Sequence, residues 1–388
     1  MKRFVGAVCL LACLAALQQA AAQSSSRNLV QVGSVAIEGG LQAIHADQDA
    51  DRPWVYALDT SGQLLIIDVS DPADARPISQ GVGRNAHTLT SFREGADYFL
   101  VLGGEQLVKV AVADPAAPMV LDSVAAGQVL ADLFAYKHSS GATLIFAAGS
   151  ENVSVYTEEV SSGPLLSMEI PDHPGPGVGF EDVFAGFDPE SQQDRLYLAA
   201  AGGYYVYDIT SVDHPVLQTT VHSAAVQRGR IMAPISDGRH ALTLASYRTA
   251  PMRIFPLTQE RVRTAVGAWT DNWQSELVDV VVRWPYAFVA ALEHGLQVVN
   301  VFDPYAPYTD AWFRSTDMED IALPPMARAA HGIADVDVRN HDGLIVAADL
   351  DYGLWMLELE AFMGWHGHSW GLPNMSDVQD WNHGPDGN

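Results

Sequence analysis

The stretch GQLLIIDVSDP at residues 62–72 recurs along the chain, and this recurrence restricts the possible folds more than any other feature. A glycine turn leads into an apolar run that closes on a turn containing Asp-Pro. Strong copies stand at 295–304 (GLQVVNVFDP), 106–115 (QLVKVAVADP) and 203–215 (GYYVYDITSVDHP). Aligning the residue that ends each run gives Asp68, Ala111, Thr157, Asp208, Pro256, Asn300 and Glu358, at spacings of 43 to 58 residues. Repeats of roughly 40–50 residues match four-stranded propeller blades. A second apolar run precedes each copy, at 54–58, 98–102, 143–147, 196–200, 241–245, 286–291 and 344–348. Such continuous runs suit strands packed on both faces. The pattern therefore predicts an all-β chain, a seven-bladed β-propeller over residues 29–360. Alternation alone would also fit a two-layer sandwich; the period favours the propeller.

These residues resemble the LVIVD-repeat family, whose units fold as propeller blades. The resemblance implies an extracellular or surface location and no shared established reaction. Asp71-Pro72, Asp114-Pro115 and Asp303-Pro304 follow the pattern, with the Asp positioned to accept turn amides and the Pro fixing its own φ. The third and fifth units depart from it, with Gly163-Pro164 in one and no Asp-Pro in the other. The seventh unit runs out near residue 359 with no outer strand. Residues 29–37 (LVQVGSVAI) alternate like an outer strand and have no local partner. They are expected to close the seventh blade and remove two open sheet edges. Residues 315–331, acidic and carrying Pro-Pro, read as a loop inserted between the last two units.

Residues 1–22 read as a secretory signal peptide, with Lys2 and Arg3 before an apolar run and an Ala20-Ala21-Ala22 processing site. The alternative is a lipobox at 10–13 (LLAC) that would leave Cys13 as a lipidated N-terminus and anchor the protein to a membrane. Cleavage after Ala22 removes both cysteines, hence any disulfide or thiolate chemistry. The chain carries 47 Asp+Glu against 21 Lys+Arg, net charge -26. That excess repels nucleic acid and anionic lipid. No later apolar run approaches the roughly 20 residues of a membrane helix.

No phosphate loop, nucleophile elbow, paired-histidine metal motif or EF-hand loop is present. Candidate function lies instead in polar residues near the starts of the inner strands: His45, His87, Asp132, Glu181, Asp182, Arg230, Asp279, His331 and Asp335. Inner strands line a propeller's channel, so these side chains are expected to converge on one mouth. There they form a solvated rim, or a site for a divalent cation or proton transfer. Residues 361–388 form an irregular tail with Trp365, His366, His368, Trp370, Trp381 and His383; indole packing on the β-surface is favoured over chelation by the His-Gly-His. Two function classes follow. One is an extracellular binding module for a protein or glycan, at the loop face or channel mouth. The other is a channel enzyme such as a polysaccharide lyase, with His and Tyr as base and acid and Arg230 neutralising a uronate.

Overall fold

Each apolar run predicted as a second strand forms the interior of an antiparallel sheet in the computed structural model. The structure describes residues 24–83, 85–168, 179–188, 190–200, 202–222, 229–235, 238–245, 251–272, 276–315, 331–365 and 379–382. From inner to outer strand, the first blade is Leu41–Ala46, Trp54–Asp59, Leu64–Asp68 and Arg76–Val82, and the second Thr88–Glu94, Asp97–Gly103, Gln106–Ala111 and Met119–Ala125. The third is Leu130–Lys137, Thr143–Gly149, Val153–Thr157 and Leu166–Met168. The fourth is Phe180–Asp188, Gln193–Ala200, Gly203–Asp208 and Val216–Val221. The fifth is Gly229–Ile235, His240–Ala245, Met252–Pro256 and Gly267–Trp269, and the sixth Asp279–Arg283, Tyr286–Ala290, Leu296–Asn300 and Tyr308–Arg314. The seventh consists of Ile333–Val338, Ile345–Asp349 and Gly353–Leu359, completed by Leu29–Ala36. Six third strands end at the residue expected, and the last ends one later, at Leu359.

The N-terminal strand thus closes the ring as expected, Leu29 pairing with Leu359 and Ala36 with Gly353. Two sheets gain a fifth strand that the repeat does not announce. Ser25–Arg27 pairs antiparallel with the outer strand of the sixth blade, and Arg261–Val262 pairs parallel with that of the fourth. Among the described residues, the two units that depart from the repeat also show the shortest outer strands, Leu166–Met168 and Gly267–Trp269.

In the Asp-Pro turns the carboxylate acts as the sequence suggests. Asp71, Asp114 and Asp303 accept the amides of Ala73, Ala116 and Tyr305 at 3.0, 3.0 and 2.9 Å. The proline carbonyl then presses on the preceding blade. A Cβ on Gly33 would stand 1.8 Å from the Pro72 oxygen, and one on Gly267 2.0 Å from that of Pro304, so neither position accommodates a side chain. Between blades lie seven apolar clusters, one per junction, including Leu58, Leu64 and Leu100 between the first two and Phe313, Trp355 and Leu357 between the last two. Their second strands are almost wholly buried, which makes the blade stack the hydrophobic core.

Candidate functional site

Near its start the inner strand of blades one, three, four, five and seven carries a β-bulge. The extra residues are Gln42, Ala131, Glu181, Arg230 and Ala334. A bulge re-aims the next side chain. The following position is Ala43, Asp132, Asp182, Ile231 and Asp335 in those blades, with Thr88 and Asp279 matching it in the other two. Two residues on lies a second layer that includes His45, Thr90 and Asp337.

The two layers bond the blades together. Asp132 accepts the Val183 amide at 3.1 Å, Asp182 that of Met232 at 3.1 Å, Asp279 that of Val336 at 3.2 Å and Asp335 that of Ile44 at 2.7 Å. In the second layer Asp337 accepts the Ala46 amide at 2.8 Å and Thr90 that of Ala135 at 3.1 Å. Each bond runs from one blade to the amide of the next, satisfying inner-strand donors that have no ladder partner on the channel side. Thr88 donates its hydroxyl to Asp132 at 3.1 Å. The fifth blade has Ile231 at the acidic position, and there the bulged Arg230 reaches Glu276, just ahead of the sixth blade's inner strand.

The structure brings His45, His87, Asp132, Glu181, Asp182, Arg230, Asp279 and Asp335 to one cavity of about 770 Å³ along the channel. His331 does not line it; its Nδ1 lies 2.6 Å from Asp351, on a turn of the seventh blade. Burial pushes the Asp132 carboxyl up to about 6, and raises Asp182 and Asp335 well above the usual carboxylate range. A carboxyl neighbour adds to the rise for the latter two: Asp132 beside Asp182, and Asp279 beside Asp335, each sharing a hydrogen bond. Among the described residues no group of three or more His, Asp or Glu is arranged to hold a metal ion. Arg230, engaged with Glu276 amid these carboxyls, is poorly placed to neutralise a uronate.

The other mouth, where the inner strands end, has a different chemistry. Tyr56 donates to Asp47 at 2.7 Å, and Arg52 binds Asp47 at 2.8 Å, the Tyr56 oxygen at 2.9 Å and the Val112 carbonyl at 2.7 Å. The Arg52 guanidinium lies 3.8 Å from the centre of the Tyr98 ring, a cation–π contact. Tyr98 donates to Asp49, and that bond, reinforced by Arg93 and Arg52, holds the Asp49 carboxyl below its ordinary value. Across this mouth lie residues 379–382. Gln379 accepts the Lys137 amide at 2.6 Å and donates to the Ala135 carbonyl at 2.7 Å, while Trp381 packs on Phe92 with ring centres 6.4 Å apart. Trp365 is buried too, its amide donating to Asn340 at 3.0 Å. Indole packing of the tail therefore holds for Trp365 and Trp381. His366, His368, Trp370 and His383 lie outside the described residues, as do residues 1–22 and 316–330.

Sequence reasoning missed Ser91, Asp337 and Arg283, all lining the cavity, and the far-mouth cluster. Alternation in Asp335-x-Asp337 and Thr88-x-Thr90 signals the second layer. No protein-family model and no curated protein matches the chain. Among solved structures, the WD40 β-propeller domain of Doa1 is similar with TM-score 0.61 and 12% identity, over 87% of this chain and 99% of that one. The likeness establishes the propeller fold. Among the described residues no helix is long and apolar enough to cross a membrane.

Proposed function

We propose that the protein is an exported binding module of the LVIVD-repeat type, which holds a protein or glycan partner at the channel mouth where the inner strands begin. One observation carries this reading: a cavity of about 770 Å³, lined by all seven inner strands and crossed by residues 379–382 at its other mouth. That volume lies within the roughly 300–1,000 Å³ of ligand sites. The signal-like sequence of residues 1–22 and the repeat motif support export and the family. Clustered carboxyls favour a basic or uncharged partner group and disfavour nucleic acid.

Glu181, a bulged and half-buried residue at this mouth, is the position to test. Immobilised mature protein should capture members of a panel of basic peptides and uncharged oligosaccharides, and Glu181→Lys should weaken capture of basic ones at least tenfold with an unchanged melting temperature. Equal capture by the variant would place the site elsewhere. Mass spectrometry of exported protein should find Gln23 as its first residue; an acylated Cys13 would mean a membrane anchor instead.

A further inference from the structure

Between or at the starts of the inner strands, six of the seven junctions are bonded through a carboxyl group, a backbone amide or both. The junction between blades one and two is different, because there an imidazole meets a hydroxyl. His45 Nε2 lies 2.7 Å from Ser91 Oγ, and His45 Nδ1 lies 3.4 Å from Asp337 Oδ2. All three residues line the channel cavity. A bond serving only to join the blades could end on a backbone amide, as the Asp337 to Ala46 bond does beside it.

We infer that Ser91, His45 and Asp337 form a nucleophile, base and orienting acid for acyl transfer. The sequence order is His, Ser, Asp, but such sets are recognised by geometry and role, never by order. Asp337 is 3% exposed and held by the amides of Ala46 and Val338 at 2.8 and 2.6 Å, and by Arg283, itself 1% exposed, at 3.5 Å. A carboxylate so fixed 3.4 Å from Nδ1 favours the tautomer with its proton on that nitrogen. In that tautomer Nε2 turns its lone pair toward the Ser91 hydroxyl, as a general base requires. The His45 side chain keeps 19% of its exposure, so the ring faces the cavity and is not sealed in the core.

The reaction balances with an ester and water. Ser91 Oγ attacks the carbonyl carbon while its proton passes to His45 Nε2. The C–O bond to the alcohol breaks, and the imidazolium returns that proton to the departing alkoxide, leaving acyl-Ser91 and free alcohol. Water, losing a proton to Nε2, then attacks the acyl carbon; Ser91 Oγ leaves and recovers the proton, releasing the acid. The neighbouring carboxyls of Asp132, Asp182, Asp279 and Asp335 make an anionic ester a poor substrate, so the class is a neutral or cationic carboxylic ester small enough for the cavity. This site shares the cavity with the proposed binding function but requires no partner, so either can fail alone.

The test is covalent. Mature protein incubated with a neutral fluorophosphonate, which loses fluoride to an activated serine, should carry one adduct, located at Ser91 by peptide mass spectrometry. Exposed serines without an adjacent imidazole, such as Ser61, serve as internal controls. Ser91→Ala should abolish the adduct, and His45→Gln should slow it at least 100-fold while the melting temperature shows the variant folded. No adduct at Ser91 in the unmodified chain, when a known serine esterase is fully labelled beside it, overturns the inference. So does equal labelling in His45→Gln. Should that variant fail to fold, selective labelling of Ser91 over the control serines in the unmodified chain decides alone.

Discussion

Where the inner strands begin, Asp132, Asp182 and Asp335 are buried against other carboxyls and bind protons more tightly than usual; where they end, Asp47 and Asp49 meet Arg52, Arg93 and two tyrosines, and Asp49 stays ionised more readily than usual. Both mouths use Asp on or just beyond the same type of strand. The difference is burial and partner together: the near-mouth carboxyls are more deeply buried, with backbone amides that offset little of that cost, whereas Asp49 is only partly buried and has a phenol and guanidinium groups beside it. The far mouth is thus electrostatically closed and is also crossed by residues 379–382. The near mouth retains unspent potential for a cation or a proton, which is why the functional reading belongs there.

Four experiments break or sharpen this contrast. Removing residues 29–36 abolishes the ring that gives the channel two mouths; no soluble folded protein is expected, and a truncated chain with unchanged melting temperature would disprove closure through Leu29–Ala36. Next, Arg52→Met strips Asp47 and Tyr56 of their cation. Breaking a buried pair by one partner costs about 3–5 kcal/mol, readable from urea midpoints at pH 7. An Asp335→Asn change at the near mouth should not approach that loss.

The third experiment concerns pH. Carboxyls with raised values lend stability that is complete below their unfolded value of 3.8 and lost as pH climbs through their raised folded values, about 6 for Asp132. Asp49 works the opposite way, lending stability above 3.8 that disappears as pH falls below it. Urea midpoints should therefore decline from pH 5 to 8, and the Asp182→Asn, Asp335→Asn double variant should flatten that decline. An unchanged slope would mean the near-mouth carboxyls titrate normally. The smallest effect is that of Gln379→Ala, which loses two bonds to the third blade. A cost of about 1–2 kcal/mol and faster exchange of the Lys137 amide are expected, with no change at Val183 beside the near mouth.

The blade count, the ends of the third strands and the closing strand were legible because repeats with buried second strands leave a strong apolar period. The fifth strands of blades four and six were not, since Ser25–Arg27 and Arg261–Val262 are three and two residues long, too short to show an apolar period. At the site, the sequence drew attention to the starts of the inner strands but mixed three kinds of position: bulged residues such as Glu181 and Arg230, the ring after the bulge such as Asp132, and the second layer at His45. A bulge shifts the facing of everything beyond it by one residue and leaves no mark in composition. His331 was misplaced for a related reason: it precedes the strand by two residues and turns to Asp351. The partnership of His45 with Ser91 joins different blades, and no local pattern announces it.

The closing strand also orders events during synthesis. Leu29–Ala36 is made before the other strands of the seven blades, and its partner Gly353–Leu359 belongs to the last blade, so the pairing of highest contact order must wait for the rest of the ring. Until then six blades can stack locally while two strand edges stay unpaired, one at each end of an open arc. Ring closure should accordingly be a late and slow phase of refolding. A chain made N-terminus first delivers its clasp before there is anything to fasten it to.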